Sequence, residues 1–227
     1  MAIRDEELKH LKEMILKMAS LVEASIRDSV RALVTQEPSI ANAVIAADHT
    51  INAYDVQIDE ECIRLIARRQ PVGRDLRFIT MGMKITTDLE RIADHAVNIA
   101  ERAIKLFETT PMMAYSDLSR MREIAQRMVK DAIDSFVNED KILAKDVIER
   151  DEEVDDLNAS VVNELMLVMT KEPENIVQAS QLIYISRNIE RIGDHATNIA
   201  EMVIYMVDGR IIRHMADITG QEPKISD

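Results

Sequence analysis

The sequence lacks tryptophan altogether, and aromatic residues make up only 3% of its 227 positions. Glycine and proline number five each, which is too few for the many tight turns of an all-β protein. Apolar residues nevertheless account for 47% of the chain, enough for a sizeable core, and 14 of them are methionine. Because leucine, isoleucine, alanine, methionine and glutamate dominate, all of them compatible with long packed helices, we expect an all-α protein.

Three further scarcities restrict where the protein works. Cys62 is the single cysteine, so no disulfide can form within the chain, which is typical of the reducing cytosol. The start MAIRDEELKH has no apolar signal segment, and the longest apolar runs, at 165–169 and 202–207, are too short to span a bilayer. The net charge of −13 argues against non-specific binding to nucleic acid, which needs a basic surface. We expect a cytoplasmic protein that meets a membrane only peripherally, through partners.

Apolar residues recur at three- and four-residue spacings along six segments of the chain. These segments predict helices over 6–36, 38–69, 74–107, 116–137, 140–171 and 174–207. Three long helices joined by tight turns form an antiparallel bundle, and the second set of three repeats the first. The sequence therefore predicts a tandem duplication of a three-helix unit, with repeats at 1–111 and 112–209 and a polar tail at 210–227 that we expect to fray.

One stretch is spelled twice. Residues 88–101 read DLERIADHAVNIAE and residues 188–201 read NIERIGDHATNIAE, with ten of fourteen positions identical. Both copies carry Glu, Asp, Asn and Glu at relative positions 0, 4, 8 and 11, which on a helix fall within an arc of about 80° beside an apolar face. These residues are Glu90, Asp94, Asn98 and Glu101 in the first copy and Glu190, Asp194, Asn198 and Glu201 in the second.

The neighbouring helices carry acidic lines of their own. At relative positions 0, 4, 7 and 11 the second helix has Asp48, Asn52, Asp55 and Asp59, and the fifth has Asp151, Asp155, Asn158 and Val162. Because the second and third helices are antiparallel neighbours, as are the fifth and sixth, the acidic lines of each half can face one another. The fifth helix has Asn158 and Val162 where the second has Asp55 and Asp59, so the two halves need not be equivalent.

Two interpretations of these acidic lines remain open. Like charges at i and i+4 destabilise an isolated helix, and no Lys or Arg follows four residues after Asp94 or Asp194. Ligands that are all oxygen suit hard cations, iron or manganese, which favours a metal site. The alternative is a solvated surface with salt bridges, which short acidic spacings on exposed helices usually indicate.

The remaining candidate groups point away from catalysis. His95 and His195 lie about 100° beyond the acidic line on a helix, so we expect them on an outer or interhelical face and not as ligands. The Glu-x-x-His pair of ferritin-like di-iron enzymes, a glycine-rich phosphate loop, a nucleophile elbow and a CxxC pair are all absent from the sequence. We expect Arg91 and Arg191 to pair with nearby acids, and Cys62 to lie in the core. No catalytic residue is predicted.

The doubled motif, together with CIRLIARRQPVGRDLR at 62–77, resembles the PhoU family of bacterial phosphate-transport accessory and regulatory proteins over essentially the whole chain. The resemblance implies a cytoplasmic, usually dimeric protein that acts with a phosphate-specific ABC transporter and a phosphate-sensing histidine kinase. It also implies multinuclear metal centres, with iron or zinc, on E(D)-x-x-x-D pairs. Matched by position, those pairs are Glu90/Asp94 and Glu190/Asp194, with Asp55/Asp59 and Asp151/Asp155 opposite, and we extend the predicted sites to Asp48, Glu101 and Glu201.

Three functional hypotheses follow. The first is a non-enzymatic homodimeric regulator of phosphate uptake that contacts the transporter ATPase subunit and the sensor kinase and carries carboxylate-bound metal of unspecified identity. The second is a carboxylate-bridged metal enzyme or a metal-storage helical bundle. The third is a scaffold whose acidic lines hold no metal.

Overall fold

The computed structural model describes residues 5–107, 109–110 and 114–209, and all regular structure within them is helical. The helices are α1 (Asp5–Thr35), α2 (Pro38–Arg69), α3 (Gly73–Leu106), α4 (Ala114–Asn138), α5 (Lys141–Glu149), α6 (Asp151–Lys171) and α7 (Ile176–Asp208), with a 3-10 turn at Pro173–Asn175. The predicted all-α fold is confirmed. The tail expected at 210–227 lies outside the described residues.

The helices begin and end at residues whose backbone geometry favours a helix terminus. Pro38 occupies the first turn of α2, where its missing N–H is no loss. At the other end of α2, Gln70 adopts a left-handed φ of 49° and its N–H donates to the carbonyl of Ile66. Gly209 closes α7 in the same left-handed region, with φ of 68° and an N–H that donates to Tyr205 O at 2.8 Å.

The fifth predicted helix contains one interruption. Arg150 separates α5 from α6, with ψ of −12°, and its guanidinium pairs with Asp131 and Asp146, each at 2.6 Å. Asp140 caps the start of α5, because its Oδ1 accepts hydrogen bonds from the backbone N–H groups of Ile142 and Leu143. As a result of the interruption, Asp151 becomes the first residue of α6.

One large apolar core joins the two repeats. Its buried side chains come from all seven helices, from Leu11 on α1 to Met206 on α7. The rings of Phe78 and Phe136, one from each repeat, stack with centroids 4.7 Å apart. Fully burying an aliphatic side chain such as Ile85 stabilises the fold by about 1.5–3 kcal/mol, so the shared core fixes the position of each repeat against the other.

The helices that carry the doubled motif, α3 and α7, pack against each other in antiparallel directions. Near one end of the contact Arg77 Nε donates to Met206 O at 3.0 Å, and near the other Arg102 Nη1 donates to Gln181 Oε1 at 3.2 Å. Since the motif copies face each other in this register, an approximate twofold axis relates the repeats. In the described part of the chain, each helix is too short or too polar to cross a bilayer.

Candidate functional site

In the first repeat, α2 brings its acidic line against that of α3. Burial and the neighbouring charge of Asp94 raise the pKa of the Glu90 carboxyl. Asp55 and Asp48, on the facing helix, raise this pKa further. Burial and the charge of Asp59 likewise raise the pKa of Asp55. We call Asp48, Asp55, Asp59, Glu90 and Asp94 the first acidic cluster.

The acidic line of α2 has polar oxygens that lack partners. Buried oxygens without a hydrogen bond are Oδ1 of Asp48, Asn52, Asp55 and Asp59. The Asn52 amide donates from Nδ2 to Asp48 Oδ2 at 2.8 Å, which leaves its own Oδ1 unused. Each buried acceptor without a donor costs about 1–3 kcal/mol, and a row of such oxygens on one helix has the donor chemistry of a cation-binding site.

In the second repeat, α6 and α7 assemble Asp151, Asp155, Glu190 and Asp194, which we call the second acidic cluster. Burial and the charges of Asp155 and Asp194 raise the pKa of Asp151 to about 6. Burial and the charge of Asp194 raise the pKa of Glu190 as well. Asp151 Oδ1 is buried without a hydrogen-bond partner, as are the oxygens on α2.

The second cluster is shorter and less negative than the first. Asn158 Oδ1, which takes the place of an acid, accepts a hydrogen bond from Ser186 Oγ at 2.6 Å and is therefore already satisfied. Arg191 Nη1 pairs with Asp194 Oδ2 at 2.9 Å. This pairing confirms the prediction that Arg191 pairs with a nearby acid. It also shows that a basic residue three positions earlier in the chain, which the i+4 pattern does not detect, partly neutralises this line.

The last glutamate of each motif copy lies at the end of its line. Glu101 is exposed, and the stretch of α2 that packs beside Ala100 is apolar, with Ile40 and Val44 buried there. The acidic line of α2 therefore does not continue to the level of Glu101. Glu201 takes the equivalent position on α7 and is half-buried.

The two histidines lie between the repeats, as the helical angle predicts. His95 Nδ1 donates to Asn188 Oδ1 at 2.9 Å, and His195 Nδ1 donates to Asp88 Oδ1 at 2.7 Å. The rings themselves are 5.5 Å apart. Burial lowers the pKa of His95. Sequence reasoning did not single out Asp88 or Asn188, although both lie at a position where the motif copies differ.

Neither acidic cluster is a closed cage. Across residues 5–107, 109–110 and 114–209, no three His, Cys, Asp or Glu side chains are already arranged to enclose a metal ion. The clusters are instead open rows of oxygens, contributed by two helices each. Their donor chemistry suits divalent cations and iron, and residues of both helices would have to close around an ion.

Comparison with known proteins places this arrangement in a family. Residues 15–103 and 118–203 each match the PhoU domain. The chain is 44% identical to the phosphate-specific transport system accessory protein PhoU homolog of Aquifex aeolicus, covering 92% of this chain and 95% of that protein. It is 36% identical to the protein of the same name from Caulobacter vibrioides, covering 97% and 94%.

Two solved structures share the fold. The crystal structure of PhoU from Pseudomonas aeruginosa is 40% identical, with a TM-score of 0.87, and the match covers 91% of this chain and 99% of that one. The phosphate transport system regulatory protein PhoU from Streptococcus pneumoniae is 29% identical, with a TM-score of 0.86 over 92% and 98%. On this similarity along nearly the whole chain, the protein belongs to the PhoU family.

Proposed function

We propose that this protein is a cytoplasmic, non-enzymatic regulator of phosphate uptake and phosphate-starvation signalling. Its relatives are named accessory or regulatory proteins of the phosphate transport system, and the chain covers nearly their whole length. That full-length similarity is the observation that carries the proposal. The protein acts by contact, as a homodimer, with the ATPase subunit of a phosphate ABC transporter and with a phosphate-sensing histidine kinase.

The chemistry of the described residues supports a role without catalysis. The carboxylates with raised pKa values lie in rows along the helices. The nearby histidines, His95 and His195, are already hydrogen-bonded to Asn188 and Asp88 between α3 and α7. Burial and the charges of Asp59 and Glu61 raise the pKa of the Cys62 thiol to about 12, which keeps it protonated and unreactive. Such a set of groups suits binding better than nucleophilic or acid–base catalysis.

In this proposal each acidic cluster holds divalent metal, of iron, zinc or a similar ion. The first cluster supplies Asp48, Asp55, Asp59, Glu90 and Asp94, and the second supplies Asp151, Asp155, Glu190 and Asp194. A bound cation would neutralise the repulsion within each cluster. The carboxylates then join α2 to α3 and α6 to α7, which gives the partner proteins a fixed bundle surface to recognise.

The proposal is tested by removing the protein from its cell and measuring phosphate-responsive gene expression. In phosphate-rich medium the deletion is expected to switch on the starvation response, and the wild-type chain supplied from a plasmid is expected to switch it off again. Unchanged expression in the deletion strain would contradict the proposal. Metal-dependent turnover, or loading well beyond a few ions per chain, would favour an enzyme or a storage bundle instead.

A further inference from the structure

The seam where α3 packs against α7 keeps one register along its length. Four of its hydrogen bonds join Arg77 to Met206, Asp88 to His195, His95 to Asn188 and Arg102 to Gln181. Each step forward along α3 is therefore matched by an equal step back along α7. In this register Arg91 is level with Ile192, and Arg191 is level with Ile92. The two arginines of the doubled motif thus lie on opposite sides of the approximate twofold axis.

Both arginines lie on the open side of the seam. Ile92, the next residue along α3, is buried, whereas Arg91 is exposed. Arg191 is exposed too, with 62% of its side chain accessible, although it pairs with Asp194 on its own helix. Arg91, for which the sequence predicts a similar pair, makes none with the residues that the structure describes. The seam therefore presents two guanidinium groups to solvent.

Further basic side chains continue this line in both directions. Lys84, two turns before Arg91, and Arg187, one turn before Arg191, are both exposed. Three turns after Arg91, the guanidinium of Arg102 lies over the ring of Tyr184, 4.9 Å from its centroid. At a rise of 1.5 Å per residue, the line from Lys84 to Arg102 is about 27 Å long. We call Lys84, Arg91, Arg102, Arg187 and Arg191 the basic strip.

The charge of the basic strip is opposite to that of the chain as a whole, which carries a net charge of −13. Acidic side chains flank the strip, with Asp94 on α3 and Asp194 on α7. Within the seam, the side chain of Asp88 is only 10% exposed and already accepts a hydrogen bond from His195. A basic strip between acidic borders attracts an anionic partner in one alignment, along the seam, and repels it in others.

The length of the strip favours an extended partner over a compact anion. Lys84 and Arg91 are about 10 Å apart along the helix axis, and Arg102 is about 16 Å further on. A single phosphate group is too small to contact basic groups at this spacing. Near the Arg102 end, Tyr184 is 51% exposed and offers an aromatic surface. Arginine and tyrosine are among the residues that dominate binding energy at protein interfaces.

We propose that the basic strip is a docking surface for an acidic segment of a partner protein. The carboxylates of the segment pair with Arg91 and Arg191 at the centre of the seam, and an apolar residue of the segment packs on Tyr184. This inference rests on the protein contacts of the proposed function and deepens them, because it assigns those contacts to one surface and one chemistry.

The experiment measures binding of the full-length chain to the purified transporter ATPase subunit and sensor kinase of the same cell. Labelled peptides of about 20 residues, which span the strip even when helical, tile both partners for fluorescence anisotropy. The peptides that bind are expected to be acidic, and to lose about tenfold in affinity between low and physiological salt. R91E/R191E should weaken binding of both peptide and whole partner by about 100-fold, because like charges then face each other.

K17E/R68E is the matched control, because Lys17 on α1 and Arg68 on α2 are exposed away from the seam. It changes the net charge by the same amount and should leave affinity unchanged. R91A/R191A removes the charges without adding repulsion and should weaken binding by about tenfold. Circular dichroism should show all three variants as helical as the wild type, which ties the losses to the surface and not to the fold.

Three results would overturn the inference and leave the proposed function intact. The first is equal affinity of R91E/R191E and the wild type for the whole partners. The second is an equal loss of affinity in K17E/R68E, which would reduce the effect to net charge. The third is displacement of the bound peptide by inorganic phosphate but not by sulfate, which would assign the arginines to a small anion. Wild-type protein that binds neither whole partner would contradict the proposed function, and this inference with it.

Discussion

His195 and Asp88 form a pair across the two repeats, with Nδ1 and Oδ1 2.7 Å apart and side chains only 13% and 10% exposed. The approximate twofold axis places His95 and Asn188 in the equivalent contact, at 2.9 Å. One side of the junction thus carries a carboxylate and the other a neutral amide. Because a hydrogen bond to a charged group stabilises a fold more than one to a neutral group, the His195–Asp88 side should contribute more to the free energy of unfolding than the His95–Asn188 side.

Removing the carboxylate of Asp88 should therefore destabilise the protein. We expect D88A to lower the free energy of unfolding by about 2–3 kcal/mol, since it leaves the His195 N–H buried without an acceptor. D88N keeps an acceptor and should cost about 1 kcal/mol. N188A also leaves a histidine N–H without its acceptor but removes a neutral amide and no charge, so it should cost about 1–2 kcal/mol. Urea denaturation followed by circular dichroism measures these changes. Equal stability of D88A and the wild type would show that the pair contributes nothing.

The thiol of Cys62 should be inert in the folded protein. Burial raises its pKa to about 12, so at pH 8 it remains protonated and inaccessible to reagents. Ellman's reagent at pH 8 is expected to label the thiol far more slowly in native protein than in urea, where every chain should react. Rapid labelling without urea would contradict the packing of α2 against the core.

The sequence predicts those parts of the arrangement that follow from regular spacings of residues along the chain. The three- and four-residue spacing predicts the helices, and the 100-residue repeat predicts which acids share a face. Neither spacing predicts the interruption at Arg150, because a one-residue break barely changes the apolar pattern. The break also depends on the contacts of Arg150 with Asp131 and Asp146, which are visible only in the structure. The hydrogen-bond partners of His95 and His195 also cannot be predicted from the sequence, since they depend on how α3 packs against α7.

The residues at matched positions of the two acidic lines predict that the clusters need not be equivalent, but they do not reveal how the clusters differ in their contacts. The sequence gives Asn158 in place of an acid, and only the packing of α7 shows that Ser186 satisfies its amide oxygen. In the same way, Ala93 and Gly193, which occupy the same position in the two motif copies, are both small residues and their difference carries no message in the sequence alone. The structure gives the difference a meaning, because a Cβ at residue 193 would lie 3.0 Å from Asp151 Oδ1 on the facing helix.

Metal-free protein should be more stable at mildly acidic pH than at neutral pH. Asp151 has an unfolded pKa of 3.8 and a folded pKa of about 6, so the folded state binds its proton more tightly. Its contribution to stability is complete below the unfolded pKa and is lost as the pH rises through the folded pKa. The melting temperature in EDTA should fall by a few degrees between about pH 5 and pH 7. D151N should reduce that fall, and an unchanged or steeper fall in D151N would contradict the assignment.

The first cluster should hold more metal than the second, because it has more carboxylates and more unpaired oxygens. We expect D55N/D59N to lose metal from the first repeat, with the second unaffected. Conversely, N158D/V162D copies the α2 pattern onto α6 and should raise the metal content of the second repeat. Elemental analysis after native purification measures both, with E190Q/D194N as the reference for an empty second cluster. Equal metal content in all of these variants would contradict the assignment.

We propose that this protein regulates phosphate uptake through direct contact with the transport and sensing proteins. The most direct measurement is co-purification of the tagged, full-length chain from cells grown in plentiful phosphate, with mass spectrometry of the bound proteins and elemental analysis of the same sample. We expect to recover the transporter ATPase subunit and the sensor kinase, together with stoichiometric metal. Recovery of neither protein, in a preparation whose chain is folded and metal-loaded, would contradict it.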